Sequence, residues 1–380
     1  MNKRIIIGAD CVPTESNLTL FELGDVVNLV GDDLLSLMNN SQFRIFNLEV
    51  PLSDVEQPID KCGPHLIAPT STVNGYKSLG IDLLSIANNH ILDHGAQGFN
   101  STVSTLKDAG IAYVGGGVLD DAIKPYFFHF NEHTVGVYAC TEHEFSIATS
   151  TDVGANPFDS LVSYDHVVKM KENCDFSIVL YHGGKEHYRF PSPYLQALCR
   201  KFIDKGADLV ICQHSHCIGC EEKYGNKTIV YGQGNFLFDK NDNEYWRTSL
   251  LISIDEHFNI SYIPLVKQDV GVRIADKVQS ERILADFQKR SLSICKKGFI
   301  ENQYDSFSRE YLHNYLISIC CMKRGIVGRV INKLSKGKYL KNKVIRKMNK
   351  KNTLAFYDFI SCEAHRELLL NGIKEHLTHL

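Results

Sequence analysis

The chain has 380 residues, of which 44% are hydrophobic and 22% charged. That is length enough for one large or two moderate domains, with the balance of an ordinary soluble globular protein. No run approaches the roughly 18–20 apolar residues of a membrane span, which excludes a helical membrane protein. The formal net charge of −3 conceals an asymmetry: Lys323 to Lys351 contains 12 Lys or Arg and no Asp or Glu, so the remainder carries −3 − 12 = −15.

The first 268 residues alternate strand-like and helix-like segments, the pattern of an α/β domain. Ile5 to Ala9 reads as a strand ending in Asp10, and a helix follows over Leu29 to Met38. Phe43 to Leu48 is a strand ending in Glu49. Pro69 and Thr70 give the start signal for a helix to Leu79. Leu83 to Asn88 is strand-like and ends in Asn89 and His90, with a helix next over Gly98 to Ala109. Strands follow at Ala112 to Gly115 and Thr134 to Cys140, then a helix at Tyr164 to Asn173. Phe176 to Tyr181 runs into His182-Gly183-Gly184, and a helix over Tyr194 to Lys205 leads to the run Ala207 to Cys212 and His214-Ser215-His216. Thr228 to Tyr231 is a further strand. Ser249 to Ile254 and Ile260 to Pro264 flank Asp255 to Asn259, as a hairpin requires.

From Ser280 glycine becomes sparse and the pattern turns helical: Glu281 to Cys295, Ser306 to Met322, the basic segment, then Leu354 to Leu377. The expected division is an α/β domain over 1–268 and a helical, partly basic extension over 269–380.

Twelve cysteines form no regular framework, and several, such as Cys140 and Cys212, sit in apolar runs. This fits reduced, core-packed thiols in a cytoplasm. Cys217 and Cys220 form a CxxC with no second pair, which reads as strand interior rather than zinc site. Met1-Asn2-Lys3-Arg4 has the charge of a leader, but the apolar stretch behind it stops at three isoleucines. A cytoplasmic protein is expected, with segment 323–351 suited to peripheral contact with an acidic membrane surface or another polyanion. Nucleic acid is disfavoured as partner, because the basic segment has no aromatic residue except Tyr339 on which bases would stack.

The chemistry-bearing residues lie at strand ends. Asp10 is a short carboxylate just past a buried strand, Glu49 has two oxygens with which to bridge two cations, and Asn89 offers a neutral amide oxygen. His182, His214 and His216 supply imidazoles suited to Zn, Fe or Mn. Residues i and i+2 of an extended segment point to one side, so His214 and His216 are expected to face one site together. His129, His143 and His313 read as ordinary core or surface histidines. Gly115 to Gly117 lack a following GK[ST], which argues against a phosphate-binding P-loop.

Six ordered stretches carry a family resemblance: Gly8-Ala9-Asp10, Asn47-Leu48-Glu49, Ala87 to Gly95, His182 to Glu186, Gln213 to His216 and Gly232 to Asp239. Together, over residues 4 to 266, they resemble the CapA family of poly-γ-glutamate capsule biosynthesis, which is similar to the calcineurin-like metallophosphoesterases. The resemblance implies a four-layer α/β fold, a β-sandwich flanked by helices, with the helical extension outside it. It implies one or two divalent metal ions (Mn, Zn or Fe), with Asp10, Glu49 and His216 on the first and Glu49, Asn89, His182 and His214 on the second. Phosphoesterases of that superfamily place a histidine two positions after the first aspartate; here that position is Val12, which leaves the first position one ligand short.

By the same resemblance, His90 is the candidate general acid, oriented by Asp93. Lys61, Lys185, Glu186, Tyr188 and Arg189 face the substrate, and Asn235 and Phe236 support the site. The expected function is a metal-dependent hydrolase of capsule or exopolysaccharide biosynthesis, in which a metal-bound hydroxide attacks a phosphoester or amide. An anionic polymer or phosphorylated glycan is the expected substrate, and capsule-machinery proteins are the expected partners. The alternative is a non-catalytic polymer- or partner-binding component.

Overall fold

The computed structural model describes residues 4–238, 243–319, 333–335 and 338–377. Asp239 and residues 323–332 and 336–337 of the basic segment lie outside the described residues. The chain forms two compact units, Met1–Ile300 and Glu301–Leu380.

Strand periodicity builds the first unit. In β1 (Ile5–Cys11), Ile5 and Ile7 join a buried cluster with Ile45 and Leu83 of neighbouring strands and with Val137, Ile178, Leu180 and Ile211 of a second sheet. Ile6 points the other way, into a cluster shared with Phe46, Leu84 and the helix residues Leu29, Leu34 and Leu106. The strands are therefore buried on both faces, which is why they read as continuous apolar runs rather than alternating ones. Each fully buried Ile or Leu contributes on the order of 1.5–3 kcal/mol.

The first sheet holds β1 parallel to β2 (Phe43–Asn47), then β3 (Leu83–Ser85) and β4 (Ala112–Val114). Helices α1 (Leu18–Leu23), α2 (Val26–Asn39), α3 (Val73–Ser78) and α4 (Gly95–Ala109) connect these strands and cover their outer face. A two-stranded pair, β5 (Gly116–Gly117) with β8 (Gly154–Ala155), lies apart from the main sheets, and the short helix α5 (Leu119–Ala122) follows β5.

The second sheet is built on β6 (Tyr126–Phe130), β7 (His133–Thr141), β9 (Phe176–His182), β10 (Leu209–Gln213), β11 (Glu221–Tyr224) and β12 (Lys227–Tyr231), in the order β11-β12-β10-β9-β7-β6. Here β7, β9, β10 and β12 run parallel. Helices α6 (Ser163–Lys171) and α7 (Pro193–Asp204) cover its outer face. Ser192 caps α7 by accepting from the Leu195 N–H, with Pro193 at the first helical position. The result is the expected four layers, helix–sheet–sheet–helix.

Beyond β13 (Asn235–Leu237), which pairs with β1, the hairpin β14 (Thr248–Ile254)–β15 (Ile260–Gln268) forms around Asp255 to Asn259 as its turn chemistry indicates. β16 (Gly271–Ile274) then completes the first sheet, and α8 (Lys277–Ile294) packs against it through Ile283 and Phe287. The expected boundary at residue 268 thus falls between two paired strands, inside the first unit. A four-residue edge strand leaves little periodic signal.

Other elements depart from expectation for local reasons. β3 stops at Ser85 and the chain turns through Asn88-Asn89-His90, whose polar groups bond loops rather than a ladder. Thr70–Thr72 is a 3-10 turn leading into α3. α2 is interrupted at Gly31, at φ 74° and ψ 164°, a conformation open to glycine. Cys217 and Cys220 are buried but precede β11 in a turn instead of lying within a strand. The helix expected over 354–377 is two, Lys350–Ser361 and Glu363–Leu377, broken at Cys362 with an extended ψ of 122°. These helices belong to the second unit, where Leu316, Ile317, Leu340 and Val344 form a small core.

Candidate metal centre

The carboxyl ends of β1, β2, β3, β9 and β10 carry Asp10, Glu49, Asn89, His182 and the pair His214 and His216. Parallel strands in both sheets present these ends, and the structure brings all six side chains together. One ligand-type atom each from Asp10, Glu49 and His216 lie within 4.8 Å of one another, as do atoms from Glu49, His182 and His214. All are buried, and Glu49 belongs to both groups. Asn89 joins the second group, its Oδ1 being 3.0 Å from His182 Nε2.

The two neighbouring histidines converge by a different route from the one their spacing implies. β10 ends at Gln213, and His214 (φ 88°) and His216 (φ 52°) both take the left-handed conformation. The chain is turned, not extended, so strand alternation does not align them. A non-glycine residue in this region costs on the order of 1–3 kcal/mol and persists only where its surroundings enforce it. Two glycines leave room for the turn to close: a Cβ on Gly219 would sit 1.6 Å from the Tyr231 carbonyl oxygen, and one on Gly232 (φ 106°) 2.7 Å from that of Cys217. The imidazoles of His214 and His216 lie 6.0 Å apart, centroid to centroid, and those of His182 and His214 4.9 Å.

Polar satisfaction is conspicuously incomplete at the centre. Both Glu49 oxygens, Asp10 Oδ2 and His214 Nδ1 are buried without a hydrogen-bond partner. Buried polar atoms are normally paired, and leaving one unpaired costs about 1–3 kcal/mol. Neighbouring groups are tied to the centre and to one another. Asn47 Nδ2 donates to Asp10 Oδ1 (2.8 Å), Asn88 donates to Asn47 Oδ1 (3.2 Å), and Asn235 Oδ1 lies 2.9 Å from His216 Nδ1. The orphaned atoms are those of a mixed oxygen–nitrogen donor set suited to a borderline divalent cation, so the residues present fit such an ion.

Electrostatics point the same way. Burial, then the adjacent Asp10 charge, push the Glu49 carboxyl well above the usual carboxylate range. Burial also works against ionised Asp10, but the His216 ring, its Nδ1 3.4 Å from Oδ2, and the nearby His182 outweigh it and hold its pKa down. Burial pushes His182 down to about 4 and His214 well below the ordinary imidazole value. For His216, burial is outweighed by Glu49 and Asp10, which lift it to about 9. The centre thus combines two buried carboxyls with two imidazoles kept neutral, the state in which imidazole binds metal.

The remaining residues expected at the site fall into two places. His90 Nδ1 is 2.6 Å from Asp93 Oδ2, so Asp93 orients the ring. Asp93 also accepts from the Leu66 N–H (2.7 Å) and from Lys61 Nζ, which lies 3.4 Å from His90 Nδ1 as well. Burial disfavours ionised Asp93, but its bonds to His90 and Lys61 prevail and lower its pKa. Lys61, expected to face substrate, has its ammonium buried in this ion pair. The second place is the loop after β9. Lys185 and Glu186 are exposed there, Tyr188 packs beside Phe190, and Arg189 Nη1 donates to the Ile218 carbonyl (3.0 Å).

Residues that strand-end reasoning missed form an aromatic wall beside His216. The Trp246 ring lies 4.8 Å from that of His216, and its Nε1 donates to His187 Nε2 (2.9 Å). His187 stacks on Tyr245 at 5.1 Å. Trp246 is the chain's single tryptophan, a signal that was available. Glu144 was missed as well; it accepts from Asn89 Nδ2 (3.2 Å) and so turns the amide oxygen toward His182.

A family model described as bacterial capsule synthesis protein PGA_cap matches residues 22–240. The chain belongs to this bacterial capsule synthesis family. Over 232 residues it is 32% identical to the capsule biosynthesis protein CapA of Bacillus anthracis, covering 57% of this chain and 56% of that protein. Over 181 residues it is 29% identical to the PGA biosynthesis protein CapA of Bacillus subtilis strain 168, covering 46% and 47%. The chain thus spans about half the length of these curated relatives. Among solved structures, a protein described as a novel phosphatase from Mycoplasma pneumoniae aligns over 71% of this chain and 95% of its own, at 12% identity and a TM-score of 0.42.

Proposed function

We propose that this chain is a metal-dependent hydrolase acting on an anionic polymer or phosphorylated glycan during capsule synthesis. The observation that carries the reading is the pair of buried donor groups sharing Glu49, with four polar atoms left without hydrogen-bond partners. Asp10, Glu49 and His216 would hold one divalent ion; Glu49, Asn89, His182 and His214 would hold a second, with Mn, Zn or Fe matching the donors. When bound, such an ion supplies Lewis-acid polarisation of the scissile phosphoester or amide and eases deprotonation of water.

The chain's own residues supply the rest. Asp93 fixes the His90 ring through Nδ1, which leaves Nε2, without a partner among the described residues, as the atom that hands a proton to the leaving group. Lys61 holds Asp93 ionised and so sustains that orientation. Lys185, Glu186, Tyr188 and Arg189 border the approach beside His216. Capsule-machinery proteins are the natural partners. The protein would work in the cytoplasm, its basic segment touching an anionic membrane surface; among the described residues no helix is long and apolar enough to cross a membrane.

One observation favours the non-catalytic reading. Val12, 1% exposed, stands in the apolar core where the similar phosphoesterases have a histidine, so the first donor group has no fourth protein ligand there. Metal analysis of the purified chain, with a phosphodiester assay in added Mn, separates the two. Near-stoichiometric metal and activity, both lost in the His214→Ala/His216→Ala variant, support hydrolysis. Metal-free, inactive protein that retains polymer binding contradicts it.

A further inference from the structure

The aromatic wall beside His216 continues into a second feature. Tyr245, stacked on His187, also receives the Arg189 guanidinium over its ring at 4.7 Å. Arg189 lines a cavity of about 580 Å³ together with Arg247, Arg282, Lys289 and Arg290, against which stand the two acids Glu244 and Asp286. Ligand cavities commonly fall in the range of roughly 300–1,000 Å³.

Two of these cations are held in place by the turn that carries the metal-type histidines. Arg189 Nη1 donates to the Ile218 carbonyl (3.0 Å), and Arg290 Nε donates to the next carbonyl, that of Gly219 (2.7 Å). Neither guanidinium forms an ion pair with a carboxylate among the described residues; both are anchored to neutral carbonyls instead. Burial, and then the Arg189 charge, lower the Arg290 pKa. Two like charges lining one cavity and anchored to adjacent carbonyls repel each other, and an oxyanion between them would relieve it.

Arg282, Lys289 and Arg290 come from α8, which lies beyond the family match ending at residue 240. The helix is firmly seated. Asp276 and Gln279 form a capping box at its start, the Phe287 ring packs 4.8 Å from that of Tyr262, and Ser291 Oγ accepts from the Glu221 N–H (2.8 Å). A helix fixed in this way presents its cations at defined positions. Guanidinium in particular matches the planar geometry of carboxylate and phosphate.

We propose that this groove is a subsite for the carboxylate or phosphate oxyanions of the ligand, binding a part of it remote from the bond presented to the metal centre. The ligand's identity rests on the functional reading above; its binding here does not, because none of the six metal-centre residues lines the groove. A polyanion laid across it would reach His216 past Tyr245 and His187.

The test is fluorescence anisotropy of a labelled hexaglutamate with the full chain at low salt, with unlabelled glutamate oligomer and inorganic phosphate as competitors. Saturable binding that weakens steeply with salt is expected. Arg282→Gln/Lys289→Gln replaces two exposed side chains, so an unchanged melting temperature and affinity weakened about tenfold are expected. The His214→Ala/His216→Ala variant should bind as the parent does, whether or not the chain hydrolyses anything. Competition by phosphate identifies phosphate as the source of the oxyanion; competition by glutamate oligomer alone identifies carboxylate. Absence of binding, affinity indifferent to the two α8 substitutions, or binding lost with the two histidines overturns the proposal.

Discussion

The two donor groups that meet at Glu49 are unequal, and the inequality is instructive. One side has four protein donors, Glu49, Asn89, His182 and His214, drawn from both sheets. The other has three, Asp10, Glu49 and His216, while Val12, two residues after Asp10, is buried in the apolar core and supplies no donor. The four-donor side keeps its imidazoles neutral by burial, while the three-donor side places His216 against two carboxyls that raise it to about 9. A proton held on His216 therefore competes for the three-donor side, while the imidazoles of the four-donor side hold none; a proton on the shared Glu49 affects both sides alike. The account predicts ordered filling: the four-donor side first, the three-donor side second and only at higher pH or metal concentration.

The largest effect should come from the shared residue. Glu49→Gln removes the charge common to both groups, and metal affinity should fall about a hundredfold or more at both positions, read by calorimetric titration with Mn. Next in size, His214→Ala should abolish the first, tighter binding event, whereas His216→Ala should leave it in place and remove only the second, each by about ten- to a hundredfold. If the two variants lose the same event, the two-sided description fails.

Val12→His sharpens the comparison from the other direction. By adding an imidazole two residues after Asp10 it should tighten the second event about tenfold, while overpacking costs the metal-free protein about 1–3 kcal/mol in denaturant unfolding.

The smallest effect is the pH dependence of the chelator-treated protein. His216 is raised from an ordinary imidazole pKa near ~6.5 to about 9, so the folded chain retains a proton that the unfolded chain sheds. Its contribution is complete below pH ~6.5 and is lost as pH rises through about 9. His182, pushed down to about 4, has the opposite sign: its contribution is present above pH ~6.5 and is lost as pH falls toward 4. The melting temperature should decline on both limbs, and His216→Asn should flatten the alkaline one.

What was readable beforehand follows from burial. Asp10 and His182 lie near the ends of their strands, and Glu49, Asn89, His214 and His216 lie one to four residues beyond theirs; a polar side chain at the close of an apolar run stands out in the sequence. The alternation of segments gave an α/β domain; the four-layer arrangement came with the family resemblance rather than from the strand pattern. The left-handed turn at His214 and His216 was not legible, because it depends on Gly219 and Gly232 meeting the Tyr231 and Cys217 carbonyls across the fold. The Lys61–Asp93 pair spans 32 residues with no periodic signal linking them. The aromatic wall and the arginine groove draw on β9's loop, the segment before β14, and α8, three regions that only tertiary packing brings to one place. The short edge strands β6, β11 and β16 carry too few residues to show a period.

The most direct test is a crystal of the protein grown with Mn and measured for anomalous scattering. The account predicts density flanking the Glu49 carboxylate, strongest on the side of His182 and His214. A map with no peak at Glu49, or with its peak elsewhere in the molecule, would contradict it.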